Sequence, residues 1–212
     1  LVYYHGGGFV MGGLESFDVI CRRLAAASRC RVIAIEYRLA PEYKYPAAHD
    51  DAMAAFRFIV TRAAGFGIDP DRIAVAGDSA GGLLSAFVAQ ECSRKNEPGP
   101  AFQLLFYPLV QYADIRSKAL TFKEGLFISP GLFAFTRQAY LPAGSDAMDK
   151  RISPLFAPEE DFAGLPPAHI VLVGWDPLKA EGEAYAAKLA HSGTPVTTKT
   201  YDGEVHGFLN MT

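Results

Sequence analysis

"AVAGDSAGGLLSAF", residues 74–87, runs from an apolar strand pattern through Gly-Asp-Ser-Ala-Gly into an apolar helix pattern. Glycine loses more backbone freedom on folding than any other residue, so Gly77 and Gly81 on either side of Ser79 need a reason. A tight strand-to-helix turn supplies one. It exposes its central side chain and brings the residues two before and two after too close together for a Cβ. Gly77 and Gly81 would then present the Ser79 hydroxyl above the end of a strand. The helix beginning near Ala80 would aim backbone N–H groups and its positive end at the same spot. The pentapeptide alone also fits a plain glycine turn with Ser79 as a helix N-cap; the flanking strand and helix favour the first reading.

Outward from this turn, short apolar runs alternate with amphipathic segments. "LVYY" (1–4), "RVIAIEY" (31–37), "RIAVAG" (72–77), "FQLLFYPLV" (102–110), "AHIVLVGW" (168–175) and "VTTKTY" (196–201) read as six strands. Helices are expected at "FDVICRRLAAAS", from Ala47 onward, at "GGLLSAFVAQECSR", and between the last two strands. Ala52, Ala55, Phe56, Ile59, Val60 and Ala63 share one face of the second helix, and Gly182, Tyr185, Ala186, Leu189 and Ala190 one face of the last. Strands apolar on both faces and separated by helices imply an α/β, doubly wound, mostly parallel sheet covered on both sides. Residues 111–167 interrupt the alternation and read as an inserted helical segment within one domain spanning 1–212. Sites in such sheets form beyond the carboxyl ends of the strands.

The 212 residues are 50% hydrophobic and 20% charged with a net charge of -3, an ordinary globular composition. There is no basic footprint for nucleic acid and no apolar run long enough for a membrane span, so a small neutral molecule is the expected partner. Cys21, Cys30 and Cys92 lack metal-ligand spacing and are expected to be buried small hydrophobes rather than a disulfide framework.

"YHGGGFVMGG" (4–13) also follows a strand. Acyl transfer develops a negative oxygen, against which each preorganised N–H donor is worth roughly 2.7–4 kcal/mol. Consecutive glycines let the backbone turn such donors inward, and Gly6, Gly7 and Ala80 are the expected set. A phosphate cradle would need a lysine pattern that is missing here. A serine also needs a base and a group to orient that base. His5, His49, His169 and His191 have ordinary structural or surface readings, whereas His206 lies in "DGEVHGF", just beyond the last strand. Asp176 ends the strand "AHIVLVGW"; alone it would read as a helix N-cap. The chain order Ser79, Asp176, His206 is the order of a triad on this kind of sheet.

Seven motifs in this order resemble the bacterial hormone-sensitive-lipase-like esterases, the family IV branch of the α/β hydrolases. They are "HGGG" (5–8), "YRLAPE" (37–42) with "YPAA" (45–48), "GDSAGG" (77–82), "SPL" (153–155), "LPPA" (165–168), "DPLKAEGEAYA" (176–186) and "HGF" (206–208). The resemblance implies a cytoplasmic carboxylic ester hydrolase for short to medium acyl esters, without cofactor or metal. It implies Ser79 as nucleophile, His206 as base, Asp176 as its partner, Gly6, Gly7 and Ala80 as oxyanion donors, and His5 as a shaper of the glycine loop. Aromatic residues between 125 and 135 would serve either the core or an acyl pocket. Lys179-Ala180 stands where the family often has Arg-Asp. The family pattern adds an N-terminal cap and further strands before "LVYY" and a helix after the histidine loop, so this stretch reads as the catalytic core of a longer protein. Homodimers of such proteins form through the last strand and that following helix. An arylformamidase-like amide hydrolase is the alternative enzyme. A binding module like the plant hormone receptors, which have lost the histidine, is the non-catalytic one.

Overall fold

β1 (Val2–Tyr4), β2 (Ile33–Ile35), β3 (Ala74–Asp78), β4 (Phe102–Phe106), β5 (Ala168–Trp175) and β6 (Val196–Val205) form one sheet in the order β2-β1-β3-β4-β5-β6. Every pairing between these strands is parallel. The computed structural model describes residues 1–113 and 128–211 of the chain.

The alternation of side chains along each strand builds two cores. Val2, Tyr4 and Val75 face a cluster with Phe56, Leu83 and Phe87, while Tyr3, Ala76 and Phe106 face Phe17 and Ile20 on the other side. Accordingly α1 (Leu14–Ser28) covers one face, and α2 (Ala47–Thr61) and α3 (Ala80–Arg94) the other. α5 (Lys179–His191) packs Tyr185, Ala186 and Leu189 against Ile170 and Leu172 on the same side as α3. α3 is buried from Ala80 to Cys92, which is why "GGLLSAFVAQEC" is apolar almost all round. The expected faces of α2 and α5 are largely met, with two differences: Met53 joins the buried face of α2, and on α5 Glu181 is buried while Ala190 is exposed.

Between β4 and β5 lie α4 (Pro130–Tyr140) and short 3-10 turns at Pro154–Phe156 and Glu159–Phe162. Of the segment 111–167, residues 114–127 lie outside the described residues. Cys92 is buried and Cys21 half-buried, but Cys30 is exposed, against expectation, because it sits in the connection between α1 and β2. Among the described residues no group of histidine, cysteine or acidic side chains could hold a metal ion, and no helix is long and apolar enough to cross a membrane.

The connection from β1 leads outward to β2, and the chain then returns to β3 on the other side of β1. The crevice between the carboxyl ends of β1 and β3 is therefore the switch point where an open α/β sheet binds its ligands. The glycine loop and the Ser79 turn both open onto it.

Candidate active site

Ser79 links β3 to α3 with φ 51° and ψ -118°, a left-handed conformation that costs a non-glycine residue roughly 1–3 kcal/mol. Surrounding backbone holds it there. The Ser79 N–H donates to the Phe106 carbonyl at 2.9 Å, and the Ser79 carbonyl accepts from Leu109 and Gly82, each at 3.0 Å. A Cβ on Gly81 would run into the Tyr4 carbonyl, and one on Gly77 into the Gly81 backbone, so both glycines are demanded by close approach of backbone to backbone. The Ser79 side chain makes no capping bond to its helix, which leaves the hydroxyl free to face the crevice.

The histidine reaches Ser79 from the far edge of the sheet. Opposite Val173 stands Tyr201, but opposite Trp175 stands Val205, so three residues of β6 bulge opposite the single residue Gly174 of β5. A Cβ on Gly174 would collide with the Asp202 backbone. This shift aligns the two strand ends so that Asp176 and His206 follow a matched pair of residues. His206 Nδ1 lies 2.8 Å from Asp176 Oδ2, and His206 Nε2 lies 2.9 Å from Ser79 Oγ. An ionised carboxylate only accepts, so Nδ1 carries the proton and Nε2 is left to accept from the serine hydroxyl. The second Asp176 oxygen accepts from the Leu178 N–H at 2.8 Å, so the helix-start role and the orienting role coexist in one side chain. Both residues are buried, and the Tyr107 ring packs 4.6 Å from the imidazole.

The glycine loop corrects one expectation. Gly6 donates its N–H to Asp78 Oδ1 at 2.8 Å, so this expected oxyanion donor is already engaged within the chain. Gly7 and Gly8 instead line the cavity that holds Ser79 and His206. Among the described residues, no hydrogen bond within the chain engages the N–H of Gly7, Gly8 or Ala80. The cavity has a volume of about 470 Å³, with Leu109, Ile128, Leu132, Phe133 and Leu178 giving it an apolar wall.

A family model described as alpha/beta hydrolase fold matches residues 1–210. The chain belongs to the α/β-hydrolase fold family. Within it, the chain falls in the hormone-sensitive-lipase-like branch that its motifs imply. It is 42% identical over 217 residues to "Carboxylic ester hydrolase LipN" of Mycobacterium tuberculosis, which spans all of this chain and 57% of that protein. An ester hydrolase from the metagenome of Lake Arreo superposes with a TM-score of 0.94 at 48% identity, covering 99% of this chain and 66% of that one. A thermophilic carboxylesterase from a metagenomic library gives a TM-score of 0.93 at 43% identity, covering 99% and 71%. The chain thus spans between 57% and 71% of the length of these relatives.

In this α/β hydrolase the other histidines lie in the core or on the surface, apart from Ser79. His49 is fully buried between the Tyr140 hydroxyl at 2.7 Å and the Arg151 carbonyl at 2.8 Å, and burial pushes its pKa down to about 3. His5 stacks on Tyr37 with ring centroids 4.2 Å apart beneath the glycine loop. His169 pairs with Thr197, and His191 is exposed beside Glu159. Of the aromatic residues expected between 125 and 135, Phe133 lines the cavity, Phe135 is exposed, and Phe127 lies outside the described residues. Sequence reasoning missed the place of Gly8 in the cavity lining and the bond from Gly6 to Asp78; the acidic residue beside Ser79, at the end of a buried strand, was the available signal for that bond.

Proposed function

We infer that this chain hydrolyses carboxylic esters through a serine acyl-enzyme. The observation that carries the reading is the unbroken hydrogen-bonded chain from Asp176 through His206 to the strained Ser79. Ser79 Oγ attacks the ester carbonyl carbon as His206 Nε2 takes its proton. The imidazolium formed is stabilised by Asp176, which also holds the tautomer that keeps Nε2 free to accept. The tetrahedral oxygen is met by the N–H groups of Gly7, Gly8 and Ala80, with the positive end of α3 behind the last of them. His206 then returns the proton to the departing alcohol, and a water repeats the sequence to release the acid.

The apolar wall of the cavity favours an acyl chain of short to medium length. The curated relative named as an ester hydrolase supports the ester reading over amide cleavage. His206 facing Ser79 supports an enzyme over a binding module. The test is a burst-phase assay with p-nitrophenyl acetate and butyrate. A burst of one product per chain is expected, and Ser79→Ala should lower turnover by about a thousandfold or more. Turnover untouched by Ser79→Ala would refute the reading, and faster cleavage of an anilide than of the matching ester would move it to amides.

A further inference from the structure

Asp78 is a buried carboxylate that the reaction above does not use. It ends β3, sits directly before the nucleophile, and is 3% exposed. A buried carboxylate is costly unless it is well satisfied. Its Oδ1 accepts from the Tyr3 hydroxyl at 2.7 Å and from the Gly6 N–H at 2.8 Å. The loop lies so close that a Cβ on Gly6 would collide with Asp78 Oδ2. One oxygen therefore gathers a side chain from β1 and the first turn of the loop that follows it. Burial raises the pKa of the carboxyl to about 6, although both donors favour its charged form.

We propose that Asp78 is a positioning residue for the oxyanion loop: its carboxylate clamps the Gly6 N–H to the residue before Ser79 and so sets the distance from the Gly7 and Gly8 donors to the nucleophile. The proposal rests on the serine-hydrolase reading above. The geometry gives it a mechanical logic. β1 ends at Tyr4, and nothing in strand pairing fixes the chain after that point. The Tyr37 hydroxyl holds the His5 carbonyl at 2.6 Å, and the clamp joins the next residue to the one covalently bonded to Ser79, so donors and nucleophile share one frame. Donors misplaced by about 1 Å cost on the order of a hundredfold in rate, because the lost bonds belong to the transition state. Such a loss falls on kcat and spares KM.

The test compares Asp78→Ala, Asp78→Asn and Tyr3→Phe with the unaltered chain and with Ser79→Ala, using p-nitrophenyl butyrate and hydrogen exchange over residues 4–13. Asp78→Ala leaves Gly6 without an acceptor; it should lower kcat about a hundredfold, hold KM within about threefold, and speed exchange in the loop. Asn keeps an oxygen acceptor without the charge and should restore kcat to within about fivefold of the unaltered chain, with loop protection regained. Tyr3→Phe removes only the second donor and should fall between the two. Equal losses in the Ala and Asn variants would overturn the clamp in favour of a charge effect on His206, and unchanged kcat or unchanged exchange in Asp78→Ala would overturn it outright. Should Asp78→Ala not fold, Tyr3→Phe and Asp78→Asn decide: a kcat loss in Tyr3→Phe with normal loop protection, or a loss of more than about fivefold in Asp78→Asn with normal protection, would contradict the clamp. Turnover in the unaltered chain that survives Ser79→Ala is the separate outcome that removes the serine reading, and the proposal with it.

Discussion

Ser79 stands at the end of a strand in the middle of the sheet, whereas His206 stands at the end of its outer strand. The centre is held by contact without slack: β3 has neighbours on both sides, α3 is buried along most of its length, and the Gly81 backbone presses on Tyr4. The edge is held by register. β6 pairs on one side only, is exposed over most of its length, and reaches the serine through a bulge. In the proposed reaction a rigid Ser79 is thus served by His206, whose position depends on strand pairing and on the Asp176 carboxylate. Damage to the centre should appear as lost stability, and damage to the edge as lost turnover.

The largest effect is expected at the edge. Asp176→Asn leaves the shape of the site intact but can favour the tautomer that presents an N–H to Ser79; a fall in kcat of about ten-thousandfold, with little change in melting temperature, is expected from steady-state kinetics and a thermal scan. In the centre, Gly81→Ala drives a methyl group into the Tyr4 carbonyl. Urea unfolding should show a loss of more than about 3 kcal/mol, the range of severe core overpacking. An equally large stability loss from Asp176→Asn, or none from Gly81→Ala, would break the contrast.

A smaller effect belongs to His49, which lies in the central core beside Phe9 of the glycine loop. Its proton is taken up below 6.5 in the unfolded chain but only below about 3 in the folded one. The unfolded state binds the extra proton throughout that window, so this group removes stability as pH falls, by at most about 1.4 kcal/mol per unit. Asp78 acts in the opposite sense between 3.8 and about 6, where its raised pKa makes stability fall as pH rises. The informative quantity is therefore the difference in denaturation midpoint between the unaltered chain and His49→Gln from pH 7 to 4.5, which should shrink or reverse on acidification. The smallest effect is expected for Gly174→Ala. The added methyl presses on Asp202, β6 has open solvent to move into, and kcat should fall about tenfold with only a small shift in melting temperature.

The same contrast explains what could be read from the chain. The Ser79 turn was legible because backbone contact demands glycine at fixed offsets, and such demands are written in residue type. The six strands were legible from apolar runs, and the meeting of Ser79, Asp176 and His206 from their order after strand ends. The end of β6 was not: the apolar pattern closes the strand at Tyr201, yet the strand continues through Asp202-Gly203 to Val205. Whether such a pair turns or bulges is decided by the neighbouring strand, here by Gly174. Gly6 failed for a similar reason, since the direction of an N–H in a glycine loop depends on the acceptor that claims it, and Asp78 is distant in sequence. Cys30 was misjudged because residue type predicts average burial, not the exposure of a particular connection.

The central claim is that Ser79 is a nucleophile made reactive by His206. Mass spectrometry after treatment with a fluorophosphonate tests it without any choice of substrate. A single adduct on the peptide containing Ser79 is predicted, absent in Ser79→Ala and formed at least about a hundredfold more slowly in His206→Ala. An adduct on another residue, or labelling of Ser79 at the same rate without His206, would contradict the account.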